Sequence, residues 1–220
     1  METGIKETVK NVLSAMQPRS PENMIISQTD LEAERQTRED QAEKSSNLGG
    51  VRARDEFKRD KFVPNARTQA PFDFCVNFNP TTDNGYFFGK TGTGKSHLAI
   101  IAARKFWRRA TVVKPCEIFR SIRACREAYD EISVIGDYAR AQVLVIDDLG
   151  VGRDTEFAVT SLYEIMDKRY QSMAGGLIVT SNLSISQLAA KLGDDRITSR
   201  LAHMCRGHIF ELHEKDWRTS

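Results

Sequence analysis

The sequence has no apolar run near the roughly 18 residues a membrane-crossing helix needs. Its first residues, with Glu2, Lys6 and Glu7 among them, form no signal-peptide hydrophobic segment. The expectation is a soluble cytoplasmic protein with no membrane partner. Cysteine is scarce, with four in 220 residues, at positions 75, 116, 125 and 205, and no C-x-x-C pair among them. That excludes a disulfide framework and the common zinc modules. Cys205, His208 and His213 supply only three potential ligands at an unfamiliar spacing, so the cysteines read as small core residues. A charge excess of one sign is also missing, since 32 Lys and Arg stand against 30 Asp and Glu, a net of +2. The distribution is uneven nonetheless. Residues 1–50 carry six bases against nine acids, a net of −3, whereas Arg104 to Arg126 carry eight bases against Glu117 alone, a net of +7.

What is present is an ordinary globular composition, 40% hydrophobic and 28% charged, and 220 residues leave room for one α/β domain with an appendage. Ile5, Val9, Val12, Leu13 and Met16 share one helical face, and Pro18 closes that segment. So short a helix is unstable alone in water and needs a surface to dock on. A charged stretch from Leu31 to Lys44 and the linker Ser45-Ser46-Asn47-Leu48-Gly49-Gly50 follow, which sets a boundary: an N-terminal partner-binding extension at 1–50 and a catalytic domain at 51–220. The alternation of Phe72, Phe74, Val76 and Phe78, mostly aromatic, predicts a strand over Phe72 to Phe78. Gly85 to Phe88, Ala110 to Val113, Val143 to Ile146 and Leu177 to Asn182 predict further strands. Helices between them begin at His97, Pro115, Phe157 and Ser186. One helix is expected to carry Ile118, Phe119, Ile122, Cys125 and Tyr129 on one face, with Arg120, Arg123 and Arg126 along another flank. Such alternation of strand and helix is the signature of an α/β protein with a mostly parallel sheet.

Gly89-Lys90-Thr91-Gly92-Thr93-Gly94-Lys95-Ser96 meets every fixed position of G-x-x-x-x-G-K-[ST] between a predicted strand and a predicted helix opened by His97. Glycines allow successive backbone N–H groups to turn onto phosphate oxygens, and the helix N-terminus adds the positive end of its dipole. Lys95 is expected to reach the β/γ-phosphates of ATP, and the Ser96 hydroxyl to ligate Mg²⁺. Val143-Leu144-Val145-Ile146-Asp147-Asp148 is an apolar strand ending in acids, at the end where parallel sheets bind ligands. Asp147 is assigned to Mg²⁺, and Asp148 to orienting and deprotonating the attacking water. If the strand Leu177 to Asn182 pairs with it, Asn182 at its polar end stands beside the site as a sensor of the γ-phosphate. Arg196 and Arg200, four apart, share one face of a later helix.

In that order GKTGTGKSH, VLVIDDLG, IVTSN and DDRITSRL resemble the bacterial AAA+ ATPases of the DnaC/IstB type, from about Phe57 to Leu212. The resemblance implies a three-layer α/β/α P-loop fold, a reduced or absent C-terminal lid with Arg218 as the only late arginine, and a short helical N-terminal extension. It implies self-assembly through an arginine finger acting in trans, Arg200 or its neighbour Arg196. It also implies contact with single-stranded DNA through the helical insertion at about Cys116 to Arg140, with Arg120, Arg123 and Arg126 as its bases. The function implied is loading of a replicative DNA helicase, gripped by the N-terminal segment. The alternative is an IstB-like transposition ATPase, a target-DNA adaptor for a transposase. A P-loop GTPase is disfavoured because no N-K-x-D is present to read guanine.

Overall fold

The structure is a computed structural model that describes residues 62–106, 109–152, 155–172 and 176–213. The N-terminal extension, the linker and Arg218 lie outside the described residues. Five strands alternate with helices: α1 (Gln69–Asn77), β1 (Asn84–Gly89), α2 (Lys95–Arg104), β2 (Ala110–Val113), α3 (Pro115–Arg123), α4 (Ala128–Arg140), β3 (Val143–Leu149), α5 (Glu156–Ser172), β4 (Gly176–Ser181), α6 (Ile185–Leu192), α7 (Asp195–Met204) and β5 (Ile209–Leu212). The sheet has the order β2-β3-β4-β1-β5, and every pairing is parallel.

Parallel strands bury both faces, which explains why they read as unbroken apolar runs. Leu144, Ile146, Leu177 and Val179 point into one core layer with helix residues such as Ile118, Ile122, Leu162, Ile165, Leu188 and Leu201. Their neighbours Val143, Val145 and Ile178 enter the opposite layer with Cys75, Leu98, Ala99 and Ile101. The result is the expected three-layer arrangement, with α1 and α2 on one side and α3 to α7 on the other. Because all strands run one way, the P-loop after β1, the acids of β3, the polar end of β4 and Lys114 after β2 meet at a single edge.

Two expectations about the elements are corrected, and one strand is added. Phe72 to Asn77 is helical, with Phe78 as the non-helical cap: the Asn65 carboxamide oxygen accepts from the Arg67 and Thr68 N–H groups just before α1, and Pro71 falls in its first turn, where proline is tolerated. Pro71, Cys75 and Phe78 are the buried positions, a spacing of four and three that the aromatic alternation masked. The predicted helix from Pro115 through Tyr129 is two helices. α3 stops at Arg123, and α4 restarts after Glu127, whose extended backbone lets its carbonyl accept from the Asp130 and Glu131 N–H groups. β5, not anticipated, pairs with β1 at the sheet edge. Of the four cysteines only Cys75 and Cys205 are buried, where desolvation pushes the Cys205 thiol up to about 12 and raises that of Cys75 further; Cys116 is exposed.

Candidate functional site

The P-loop geometry depends on glycine at its two ends. Gly89 has φ +140°, and a Cβ there would lie 2.1 Å from the Leu212 carbonyl oxygen of β5. Gly94, at φ +91°, caps α2 and packs against the Phe62 ring, 3.0 Å from where a Cβ would be. Either position would strain any other residue. Between them Thr93 Oγ1 donates to the Lys90 carbonyl at 2.9 Å. Lys90 and Thr91 are exposed at the tip, and Gly92 is half-buried. The Lys95 ammonium is buried over the loop and donates to the carbonyls of Gly89 (2.8 Å) and Lys90 (2.7 Å). His97 turns its ring edge-on to Phe62, with centroids 5.1 Å apart.

Ser96 Oγ donates to Asp147 Oδ1 at 2.7 Å, so the first turn of α2 is hydrogen-bonded to the end of β3. A serine hydroxyl and a carboxylate side by side at a helix N-terminus are hard oxygen donors. Such a set fits Mg²⁺, which takes one or two carboxylates and completes its shell with phosphate and water. The two acids then diverge. β3 pairs Ile146 with Val179 and Leu149 with Ser181, so Asp147 and Asp148 together oppose the single residue Thr180. This is a β-bulge, and it explains how Leu149 returns to the same core layer as Ile146, three residues before it. Asp148 takes the left-handed φ of 62°, which aspartate tolerates better than most residues. Its carboxylate faces Lys114 at 3.5 Å across an opening where their side chains are 36% and 51% exposed, so water screens the pair.

Lys114 and Thr180 were not singled out from the sequence. Thr180 is fully buried; its hydroxyl donates to Asp147 Oδ1 at 2.6 Å and accepts from the Asp148 N–H at 2.9 Å. Asn182, the sequence candidate, follows β4 as an exposed residue. Parity on the strand put Thr180 and Asn182 on one face, but only the pairing register reveals which stands opposite the acids. Lys114 left no sequence signal beyond its place at the end of β2.

Arg200 and Arg196 lie together on α7, where their side chains bond to Asp167 and Asp194 and cover Tyr163. The Arg200 guanidinium donates through Nε to Asp167 Oδ1 at 2.8 Å, and through a second, shorter bond to the same oxygen. It also stacks over the Tyr163 ring at 4.8 Å and is only 23% exposed. Arg196 lies over the same ring at 4.4 Å, with its side chain 61% exposed and bound to Asp194. That bond from Arg196 holds the Asp194 carboxyl below the usual carboxylate range. In the insertion, Arg120 and Arg123 sit on α3, but Arg126 lies beyond its end, so the three do not form one helical flank. The Arg123 guanidinium covers the Phe157 ring at 4.7 Å, Arg120 and Arg126 are exposed, and Tyr129 is 78% exposed beside Glu127, Asp130 and Glu131.

Against known proteins, the family described as IstB-like ATP binding protein matches residues 30–219. The replicative helicase loader DnaC of Escherichia coli (strain K12) is 25% identical over 58% of this chain and 54% of its own length. The insertion sequence IS232 putative ATP-binding protein of Bacillus thuringiensis subsp. berliner is 26% identical over 67% of this chain and 59% of its own. The chain therefore spans a little over half the length of these curated relatives. Among solved structures, the DnaC helicase loader superposes with a TM-score of 0.57 at 22% identity, covering 74% of this chain and all of that one. The replication initiator DnaA bound to AMPPCP and single-stranded DNA superposes with a TM-score of 0.60 at 17% identity, covering 74% of this chain and 51% of that one, a likeness of fold. With the family match running over most of its length and the P-loop, the β3 acids and the β4 terminus gathered at one sheet edge, the chain belongs to the family of IstB-like ATP-binding proteins.

Proposed function

We propose that the chain hydrolyses ATP and uses the cycle to load a replicative DNA helicase onto single-stranded DNA. The observation that carries the catalytic part is the hydrogen-bonded series Ser96, Asp147, Thr180, which ties the P-loop helix to the acid-bearing strand as two halves of one site. In this reading the loop N–H groups from Gly89 to Ser96 and the α2 N-terminus hold the phosphates. Lys95 exchanges its loop carbonyls for β/γ-phosphate oxygens, and Ser96 and Asp147 hold Mg²⁺. The ion, when bound with nucleotide, neutralises charge on the β- and γ-phosphate oxygens. Asp148 accepts a proton from the water that attacks the γ-phosphorus as the bond to ADP breaks, and Asn182 reports the state of that phosphate. Arg200, with Arg196 beside it, enters a neighbouring subunit's site, so turnover depends on assembly.

The helicase-loading part is supported by the similarity to DnaC, and the exposed bases Arg120 and Arg126, with Arg123, offer a backbone-tracking surface for single-stranded DNA. Residues 1–50 are the segment proposed to hold the helicase. The similarity to the IS232 protein favours a second reading, a target-DNA adaptor for a transposase. The test measures ATP hydrolysis by the full chain alone, with single-stranded DNA and with duplex, alongside pull-downs on residues 1–50. Stimulation by single strands, loss of activity in Lys95→Ala and Asp147→Ala, and capture of a hexameric helicase are expected. Duplex preference with capture of a transposase establishes the second reading, and activity indifferent to DNA removes the DNA-coupled part of both.

A further inference from the structure

The bulge at the end of β3 puts two acids opposite one residue of β4, and that residue is a threonine with no exposed surface. Its hydroxyl is engaged both as donor and as acceptor. It donates to Asp147 Oδ1 at 2.6 Å and accepts the N–H of Asp148 at 2.9 Å. A hydroxyl has one proton to give, and here it goes to the carboxylate, which leaves a lone pair for the main chain. We propose that Thr180 is the positioning residue of this site, locking the Asp147 carboxylate for a divalent cation while pinning the main chain that carries Asp148.

The proposal rests on reading the site as an ATP site, and three features of the chain carry it. Asp147 Oδ1 accepts from both Ser96 and Thr180, so that oxygen is held from two sides, by helix α2 and by strand β4. Ser96 is itself a ligand candidate, and when its hydroxyl turns to a cation Thr180 is the side chain still holding Asp147. Asp148 sits at a positive φ in the bulge, where it has left the regular ladder, and its N–H finds its acceptor in the Thr180 side chain. The neighbouring Ser181 supplies an internal comparison. It is equally buried, but its hydroxyl donates to the Leu149 carbonyl and accepts from the Leu183 N–H rather than bonding to Asp147 or Asp148.

The full chain is compared with Thr180→Ala, Thr180→Ser, Thr180→Val and Ser181→Ala. Binding of a fluorescent ATP analogue is titrated with and without Mg²⁺, and hydrolysis is followed against Mg²⁺ concentration. Partners that orient a metal ligand change metal affinity about 10- to 100-fold when removed. Thr180→Ala is therefore expected to raise the half-saturating Mg²⁺ by that factor, with metal-free nucleotide affinity within about twofold of wild type. Thr180→Ser keeps the hydroxyl and stays near wild type, as does Ser181→Ala. Thr180→Val removes the hydroxyl while keeping the shape, and serves if the smaller alanine unfolds the strand end. A hydroxyl-less variant with the wild-type Mg²⁺ dependence overturns the proposal, as does one whose metal-free affinity falls equally. Failure of the wild-type chain to bind the analogue under any condition instead overturns the ATP-site reading beneath it.

Discussion

Arg169 lies in the middle of the molecule with 2% of its surface exposed, and among the described residues no carboxylate is bonded to it. Its guanidinium spends its donors on carbonyls instead: Nη1 on those of Tyr138 (3.1 Å), Ala139 (2.9 Å) and Ala141 (2.9 Å), and Nη2 on that of Gly176 (2.9 Å). The first three close the C-terminus of α4, where carbonyls lack helical partners and the dipole favours a cation; the fourth opens β4. Arg169 is thus a clamp between the insertion and the sheet, although burial lowers its pKa to about 10. In Arg169→Met each stranded carbonyl costs about 1–3 kcal/mol, for a gross loss of about 4–12 kcal/mol. Relief of the buried guanidinium's desolvation returns several kcal/mol. The net expected loss is about 2–5 kcal/mol, which for a protein of this size lowers Tm by roughly 4–20 °C. Arg169→Lys keeps the charge without the planar fork and recovers only part of it. Urea unfolding followed by circular dichroism measures this, and a Met variant within about 1 kcal/mol of wild type would refute the clamp.

Lys95→Ala removes the cation held over the P-loop and is expected to lower kcat/KM for ATP at least 100-fold, about 2.7 kcal/mol of transition-state stabilisation; a smaller loss in steady-state assays counts against the site. Lys114→Met frees the Asp148 carboxylate from a screened pair of about 0–1 kcal/mol, so basal hydrolysis rises no more than about fivefold and loses part of its salt dependence. Loss of activity would instead assign Lys114 to the reaction itself. Asp167→Asn takes the charged anchor from Arg200 and is expected to cost about 1–3 kcal/mol of stability while lowering the protein concentration at which assembly-dependent hydrolysis appears. In subunit mixing, Arg200→Ala with Lys95→Ala restores activity if the arginine acts in trans, and leaves it unchanged if Arg200 serves only its bonds to Asp167 and Tyr163.

The P-loop, the β3 acids and four of the five strands were legible in the sequence because each is written in consecutive residues. Gly89 to Ser96 is a contiguous cradle, and Val143 to Ile146 is apolar throughout because both sheet faces cover it. α1 reads as a strand because Phe72, Phe74, Val76 and Phe78 alternate and mask the helical spacing of Pro71, Cys75 and Phe78, and the decision came from a turn at Asn65 and Thr68. β5 is short, and its edge position follows from pairing with β1 alone. Apart from Gly176, seven residues from Arg169, the partners of Thr180, Lys114 and Arg169 lie 28 to 34 residues away in sequence, and such partners are chosen by strand order, register and packing. The sequence by itself determined that a triphosphate-binding loop and a pair of acids occur in the order and spacing of two halves of one site. Only the tertiary structure decided that a one-residue bulge brings both acids opposite Thr180 and that Arg200 is held by Asp167, because those outcomes depend on which backbones lie side by side.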